Sequence, residues 1–465
     1  MKYIIRLTAN QYATLQDHLF PGDGLEAAAL AVCGRASAQD RDVFIIRDIV
    51  TIPYDQCKRS QTNVTWSTRF ADKLIAIAAE RDMAIMKIHS HPGGFSSFSE
   101  CDDGSDESFF RSVTNMLDDE RPHASAVMLP NGNVLGRAVT SDGKFVKAES
   151  VSVVGEDIDL WYSSPNGGLP GFTERHEQVF GAGTVNKLRR MCVSVVGCSG
   201  TGSPLIEQLV RLGVGRIILI DPDRVEWRNL NRINMTKASD ANLGRLKVDV
   251  LAEEIGRIGL GTEVIPIASN LETQDAVRAV SSSDLVFGCM DSVSGRETLN
   301  RLATFYTLPY IDVGVQLTAL PNGNVDQITG AVHYLQPGRS SLRSRGVYDS
   351  EDVRAELLQR DDPDAYRQQL REKYIRGVQE DRPAVISVNT LIASIAVNEM
   401  LARIHRFRYD NNDTYASLRY AIHEPCVFRE SESDLEPCPV LAKEVGRGDA
   451  TPLLDKPELT EKDEP

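Results

Sequence analysis

The spacing of apolar positions changes character once along the 465 residues, at a Gly-, Pro- and Ser-bearing stretch around 163–171. Before it, Thr8 to Phe20 has the polar start and spaced apolar residues of a short helix, and Leu25 to Val32 and Val43 to Ile52 read as buried strands. Ser67 to Arg81 is again helical and Met83 to Ile88 is a short apolar strand. Ala124 to Leu129 and Val134 to Val139 flank Asn131-Gly132, a hairpin signal. Two helices among hairpin-joined strands predict a compact α+β domain over residues 1–155, with 156–171 as linker. Beyond it, a continuous apolar strand (Cys192 to Val196), a glycine-rich turn, a helix (Pro204 to Leu212) and a second apolar strand (Arg216 to Ile220) make a βαβ unit. Leu285 to Gly288 and Pro309 to Val313 read as further strands, Arg354 to Arg376 as a charged helix and Val385 to Ile404 as a core helix. The fold class expected is therefore two-domain, α+β then α/β. Residues 172–430 should form a Rossmann-like, mostly parallel sheet with helices on both faces, and 431–465 an acidic, partly disordered tail.

Charge narrows the partners. With 51 Lys+Arg against 66 Asp+Glu the chain carries a formal −15, so most of its surface repels phosphate backbones. No nucleic acid is expected, although a local basic pocket for one nucleotide remains compatible with that balance. The opening MKYIIRLTANQY lacks the features of a secretory signal, and no stretch approaches the ~20 apolar residues needed to span a bilayer, so no membrane partner is expected. Eight dispersed cysteines do not make a disulfide framework, which agrees with a reducing compartment and a cytoplasmic location.

Two constellations carry chemistry. His89-Ser-His91 sits just after the strand Met83 to Ile88, and seven residues later comes Ser99-x-x-Asp102. Residues i and i+2 of a strand face the same way, so both imidazoles can reach one metal ion, with a carboxylate from the next turn as third ligand and a fourth place left for water. Zn2+ lowers the pKa of that water to about 7. Glu26, in an apolar strand where burial raises proton affinity, is a candidate general base, and Ser99 a candidate donor to the oxyanion. This set resembles the complete signature of the JAMM metalloprotease family, which cleaves peptide or isopeptide bonds at the C-terminus of ubiquitin and ubiquitin-like proteins. The resemblance covers residues 1 to about 150. It implies zinc ligation by His89, His91 and Asp102, acid–base catalysis by Glu26 and stabilisation of the tetrahedral intermediate by Ser99.

The second constellation is Gly197-Cys-Ser-Gly200-Thr-Gly202, after a strand and opening a helix, where backbone amides and the positive helix end suit phosphate oxygens. Asp221, at the end of the next strand, is placed to accept ribose hydroxyls. Dehydrogenases share this much. Asn229, Arg232 and Lys247 then cluster enough positive and polar groups for a triphosphate, and Asp291 can carry Mg2+, which points to ATP rather than a nicotinamide. From Phe172 to about Leu401 the chain resembles the ThiF/HesA/MoeB family and the adenylation domains of ubiquitin-activating enzymes. That resemblance implies activation of a C-terminal glycine carboxylate as an acyl-adenylate. It also implies catalytic roles for Arg232, Lys247 and Arg175, the last as an arginine finger reaching the ATP of another subunit, hence a homodimer. Ser199 stands where a glycine is usual, tolerable if its φ is negative.

Many relatives carry a Cys-x-x-Cys half of a structural zinc site where Pro337 to Ser344 has serines, so no such zinc is expected. No cysteine lies between Cys289 and Cys426, which leaves Cys426 or Cys438 as the candidates for any thioester. Together the two constellations suggest one substrate, the tail of a ubiquitin-like β-grasp protein, both adenylated and cleaved, with a conjugating enzyme as the next partner, as in bacterial ubiquitin-like conjugation systems. Activation and release of a sulfur carrier is the enzymatic alternative, and tail binding without catalysis the non-enzymatic one.

Overall fold

A computed structural model describes residues 1–459 apart from 39, 165–166, 321, 323 and 372–383. The chain divides into two units, Met1–Pro165 with Phe305–Thr307 and Glu444–Pro465, and Asn166–Thr304 with Leu308–Lys443.

The first unit holds strands β1 (Lys2–Thr8), β2 (Ala28–Ala38), β3 (Arg41–Thr51), β4 (Cys57–Arg59), β5 (Val64–Trp66), β6 (Ala84–Ser90), β7 (His123–Met128), β8 (Val134–Val139), β9 (Phe145–Lys147), β10 (Ser150–Val154) and β11 (Ile158–Tyr162), and helices α1 (Ala9–Leu19), α2 (Asp72–Arg81) and α3 (Glu100–Leu117). Nine strands form one sheet in the order β11-β10-β1-β3-β2-β6-β7-β8-β9, and β4 and β5 pair separately. The sheet is mixed: β1 runs parallel to β3 and β10, and β6 parallel to β7. Central strands are apolar on both faces because both faces are covered. Along β2, Ala29, Ala31 and Cys33 join Leu15 and Leu19 of α1 in one core, while Ala28, Leu30 and Val32 join Leu74 of α2 and Phe110 and Val113 of α3 in the other. Thr8 caps α1 as expected, its hydroxyl accepting from the Gln11 amide at 3.2 Å.

The second unit holds β12 (Cys192–Val196), β13 (Arg216–Ile220), β14 (Glu263–Ile267), β15 (Leu285–Gly288), β16 (Tyr310–Ala319), β17 (Val325–Leu335), β18 (Ser417–Ala421) and β19 (Cys426–Glu430). Its sheet order is β14-β13-β12-β15-β16-β17-β18-β19. The first five strands pair in parallel, as the βαβ pattern predicts, but β17, β18 and β19 extend the sheet antiparallel, so it is mixed rather than mostly parallel. Its helices are α4 (Glu174–Arg190), α5 (Gly202–Leu212), α6 (Ala238–Leu243), α7 (Lys247–Ile258), α8 (Gln274–Ser281), α9 (Val293–Phe305), α10 (Ser350–Asp361), α11 (Pro363–Arg371) and α12 (Ile386–His405). The charged segment expected as one helix from Arg354 is thus two, with Pro363 starting the second, where a missing N–H costs nothing. Its end, 372–376, lies outside the described residues.

Of the acidic end, 431–465, expected to be partly disordered, 460–465 lie outside the described residues. Residues 444–459 fold within the first unit: Leu453 and Leu454 are buried, the Asp449 amide donates to Arg35 O at 2.8 Å, and the Asp449 carboxylate accepts from the Ser37 amide and the Tyr306 hydroxyl. Gly446 (φ +74°) lies so close to the Ile46 carbonyl that a Cβ would come within 2.4 Å of it. Acidity there marks specific acceptors rather than a solvated chain. No helix among the described residues is long and apolar enough to cross a membrane.

At the serine run, the Ser340 amide donates to Glu432 at 2.8 Å, and the Arg345 guanidinium reaches Glu432 at 2.7 Å and the carbonyls of Tyr334 and Ala416 at 2.8 Å. Both charged groups are fully buried and satisfied by one another. Removing one member strands the other, so Glu432→Gln is expected to cost about 3–5 kcal/mol. The check is the denaturant midpoint of the unfolding transition; an unchanged midpoint contradicts it.

Candidate active sites

In the first unit, β6 delivers His89 near its end, His91 follows one residue past it, and the first turn of α3 delivers Asp102. The His89 and His91 Nε2 atoms are 3.1 Å apart, and Asp102 Oδ1 and Oδ2 lie 3.0 Å from His89 and 3.4 Å from His91. Three ligand atoms at about 2.0–2.1 Å from one Zn2+ in tetrahedral geometry are separated by about 3.3 Å, so this spacing fits the ion. The His91 Nδ1–H donates to Phe95 O at 2.8 Å, which leaves Nε2 with its lone pair. His89 is 2% exposed, and among the described residues its Nδ1 has no hydrogen-bond partner. Among the described residues these three are the one group of His, Cys, Asp and Glu spaced to share a metal.

Glu26 lies just before β2 rather than inside the strand, because its backbone is tied elsewhere: its amide donates to Ser60 O and its carbonyl accepts from Arg59 Nε, both at 2.8 Å. Its side chain is buried all the same. Desolvation pushes its carboxyl up to about 7, with His91 pulling down and Asp102 pushing up. Asp102 is affected the opposite way: burial would raise it, but hydrogen bonds from both histidines and the Ser99 amide hold it far below the usual carboxylate range. Ser99 caps α3, accepting from the Asp102 amide at 3.2 Å while its hydroxyl and amide meet Asp102 Oδ2 at 2.8 and 2.7 Å. An oxyanion role therefore requires that hydroxyl to turn away from Asp102.

In the second unit the turn after β12 begins at Gly197 with φ +92°, where a Cβ would meet Cys289 O at 2.7 Å. At Gly202 a Cβ would lie 1.9 Å from Gly197 O, so both positions require glycine. Ser199 is not among the residues of positive φ, so serine is unstrained there. Asp221 fixes the turn from the next strand end: Oδ2 accepts from the Cys198 amide at 2.8 Å and Oδ1 from the Asp223 amide at 2.9 Å. Burial raises its pKa, opposed by the nearby Lys247 ammonium, which is 3.5 Å from Asp221 and 2.7 Å from Asp223.

Gly197, Gly200, Asp221, Asn229, Arg232, Lys247 and Asp291 all line a single cavity of about 1950 Å³. That is about twice the upper end of the usual 300–1,000 Å³ for a small-molecule site. Arg175 is exposed on α4 and does not line this cavity.

Sequence reasoning noted Arg296 only as lying beyond Asp291, and it missed two further occupants of the wall, Asn389 and His333. Asn389, on α12, is buried; its Nδ2 donates to Thr201 Oγ1 at 2.9 Å, and among the described residues its Oδ1 has no partner. Arg296 reaches Asp312 at 3.2 Å, and the Tyr310 hydroxyl donates to the same carboxylate at 2.8 Å. His333, paired in register with Asp312 on the neighbouring strand, is pushed down to about 3 by burial and the cations of Arg345, Arg419 and Arg296. Local sequence carries little signal for these, since α12 and β17 reach the turn only through the sheet.

Of the two late thiols, Cys426 is exposed on β19 and lines the cavity, while Cys438 is buried. Cys33, Cys192 and Cys198 are buried and Cys289 is half-buried.

A parallel strand–turn–helix unit with an acidic residue at the second strand end, opening on a cavity that Arg232 and Lys247 help to line, has the form of a nucleotide-binding α/β domain. Residues 173–438, more than half of the chain, match the ThiF family model, and the chain belongs to the ThiF family. The ubiquitin-like modifier-activating enzyme 5 of Culex quinquefasciatus is 27% identical over 167 residues, 33% of this chain and 39% of that protein. The adenylyltransferase and sulfurtransferase UBA4 of Meyerozyma guilliermondii is 30% identical over 125 residues, 27% of this chain and 29% of that protein. These matches thus span about two fifths of their relatives' length or less. A crystal structure of E. coli MccB with ATP overlaps 59% of this chain and 74% of its own at a TM-score of 0.44 and 18% identity.

In the zinc-free chain, Glu26 is expected to hold its proton up to about pH 7 and to be ionised above it. Carboxyl-region infrared titration, differenced against Glu26→Gln, checks this. A midpoint near the ordinary 4.5 contradicts it.

Proposed function

We propose that the chain is a bifunctional enzyme of a ubiquitin-like protein's tail, adenylating its C-terminal glycine in the second unit and cleaving a peptide or isopeptide bond at that glycine in the first. The observation that carries it is the pairing, in one chain, of a ThiF-family domain with a His89–His91–Asp102 triad, both histidines buried, and a buried Glu26.

For adenylation, the turn from Gly197 to Gly202 and the start of α5 receive phosphate oxygens, Asp221 accepts the ribose hydroxyls, and Arg232, Lys247 and Asn229 offset the triphosphate charge. Asp291, a single carboxylate at the end of β15, suits Mg2+, which takes one or two protein carboxylates and completes its shell with phosphates and water. A glycine carboxylate attacks the α-phosphorus, forming the acyl-adenylate and releasing pyrophosphate. The size of the cavity supports this, because it has room for a peptide tail as well as ATP. Arg175, exposed on α4, is free to serve the nucleotide of a second subunit in a homodimer.

For cleavage, His89, His91 and Asp102 would hold Zn2+, which supplies Lewis acidity and a water acidified to near neutrality. Glu26 takes a proton from the attacking water and passes it to the leaving amine, for which a carboxyl titrating near 7 is suited; a nearby divalent cation lowers that value. Ser99 donates to the developing oxyanion once its hydroxyl leaves Asp102. The residues fit a JAMM-type peptidase in identity and spacing.

A second reading, activation and release of a sulfur carrier, is favoured by the UBA4 relative and by the lack of any cysteine between Cys289 and Cys426. The two readings part on the acceptor: a conjugating enzyme or a lysine in one, sulfide giving a thiocarboxylate in the other. Intact mass of the carrier under non-reducing conditions distinguishes them.

Glu26→Gln is expected to reduce cleavage at least 100-fold, by loss of acid–base catalysis, and to leave ATP–pyrophosphate exchange within twofold of the parent. Asp291→Ala is expected to do the reverse. If either variant, folded, lost both reactions, two independent sites would be excluded.

A further inference from the structure

Behind the histidine pair lies a second polar layer that none of the roles above uses. Lys87 is two residues before His89 on β6, and Asp106 is one helical turn after Asp102 on α3. The Lys87 Nζ lies 2.5 Å from Asp106 Oδ1. The contact between strand and helix at His89–Asp102 is thus repeated one step deeper as an ion pair. Lys87, Ser125 and Arg137 occupy one row across β6, β7 and β8, each in register with the next. Arg137 reaches Asp106 Oδ2 at 2.7 Å and Asp103 Oδ1 at 2.5 Å. Its guanidinium is stacked between the rings of Phe98 and Phe145, each centroid 3.8 Å away. The Lys87 ammonium also donates to Ser105 Oγ at 2.9 Å.

These partners bracket the helix start that carries Asp102. Phe98 precedes the capping Ser99, Asp103 follows Asp102, and Ser105 and Asp106 complete the turn. Asp106 is 0% exposed, and Lys87 and Arg137 are each 5% exposed. Such burial of charge is costly, and replacing a buried ion pair by apolar residues is often neutral or stabilising, so stability alone does not call for it. What an ion pair adds over apolar contact is a fixed distance and direction.

We propose that Lys87, Asp106 and Arg137 are positioning residues that lock the first turn of α3 against β6, holding the Asp102 carboxylate at the His89–His91 pair in the geometry that Zn2+ needs. This rests on the zinc reading of that triad. Groups that orient metal ligands from behind contribute about 10- to 100-fold to metal affinity.

The test is zinc affinity of the full chain, measured by competition with a chromophoric chelator, with the melting temperature of the zinc-free protein read in parallel. Lys87→Met/Asp106→Leu removes the ion pair without leaving either charge unpaired, and Arg137 keeps Asp103. The expected result is zinc binding weakened by about 10- to 100-fold with a zinc-free melting temperature close to the parent's. The more conservative Arg137→Lys keeps the charge but loses the fork and the stacking, and is expected to weaken zinc several-fold. A folded variant of either kind that binds zinc within twofold of the parent overturns the positioning role. A parent chain that takes up no zinc overturns the metal reading itself, a result visible before any variant is compared.

Discussion

Burial places two imidazoles and a carboxylate within 3.0–3.4 Å of one another at the end of β6, and everything proposed for the first unit depends on how that crowding is satisfied. With the Nδ1–H of His91 donating to Phe95 O, its Nε2 offers a lone pair toward His89 and Asp102. Lone pairs and a negative charge converging away from water repel unless something positive sits between them. A proton satisfies two such groups at most; a divalent cation satisfies three and leaves a place for water. In the proposed zinc site, the strand spacing, the cap at Ser99 and the ion pair behind it would all serve this one convergence.

The adenylation proposed for the second unit poses the reverse problem, that of holding a highly charged anion. Its cavity gathers backbone amides, Arg232 and Lys247 around a turn that admits no side chain at Gly197 or Gly202. Asp221 organises it by accepting two amides, so that one carboxylate both shapes the turn and faces the cavity. Before any nucleotide arrives, Lys247 is paired with Asp223 and Asp221. A phosphate must therefore compete with acidic side chains for it, which tempers affinity without changing which atoms the nucleotide meets.

Much of this was legible from residue order. The strand Leu285–Gly288 and the helix start near Ile386 stand where apolar runs of clear length put them, and the His-x-His and Gly-x-x-Gly-x-Gly spacings led to residues that the fold brings together. What was hidden depends on long-range pairing. β1 is held between β3 and β10, strands far apart in sequence, and β17 to β19 extend the second sheet antiparallel where a βαβ pattern suggests more parallel strands. Glu26 lies outside the strand its apolar neighbours suggest because Ser60 and Arg59 hold its backbone. Residues 444–459 carry the signs of disorder yet fold, since Asp449 finds donors more than 400 residues earlier in the chain and at Tyr306. Lys87 and Arg137 look like ordinary surface charges until register places them in one row.

The central claim is that one chain first exposes and then activates the same glycine. It is tested most directly by supplying zinc-loaded protein, ATP and Mg2+ with a β-grasp protein extended by a short peptide beyond that glycine, and following pyrophosphate release. A chain working in that sequence releases pyrophosphate from the extended protein only while Glu26 is intact, and the Glu26→Gln variant regains release when given the protein already trimmed. Equal release from extended and trimmed protein by that variant, or none from trimmed protein by the parent, would contradict it.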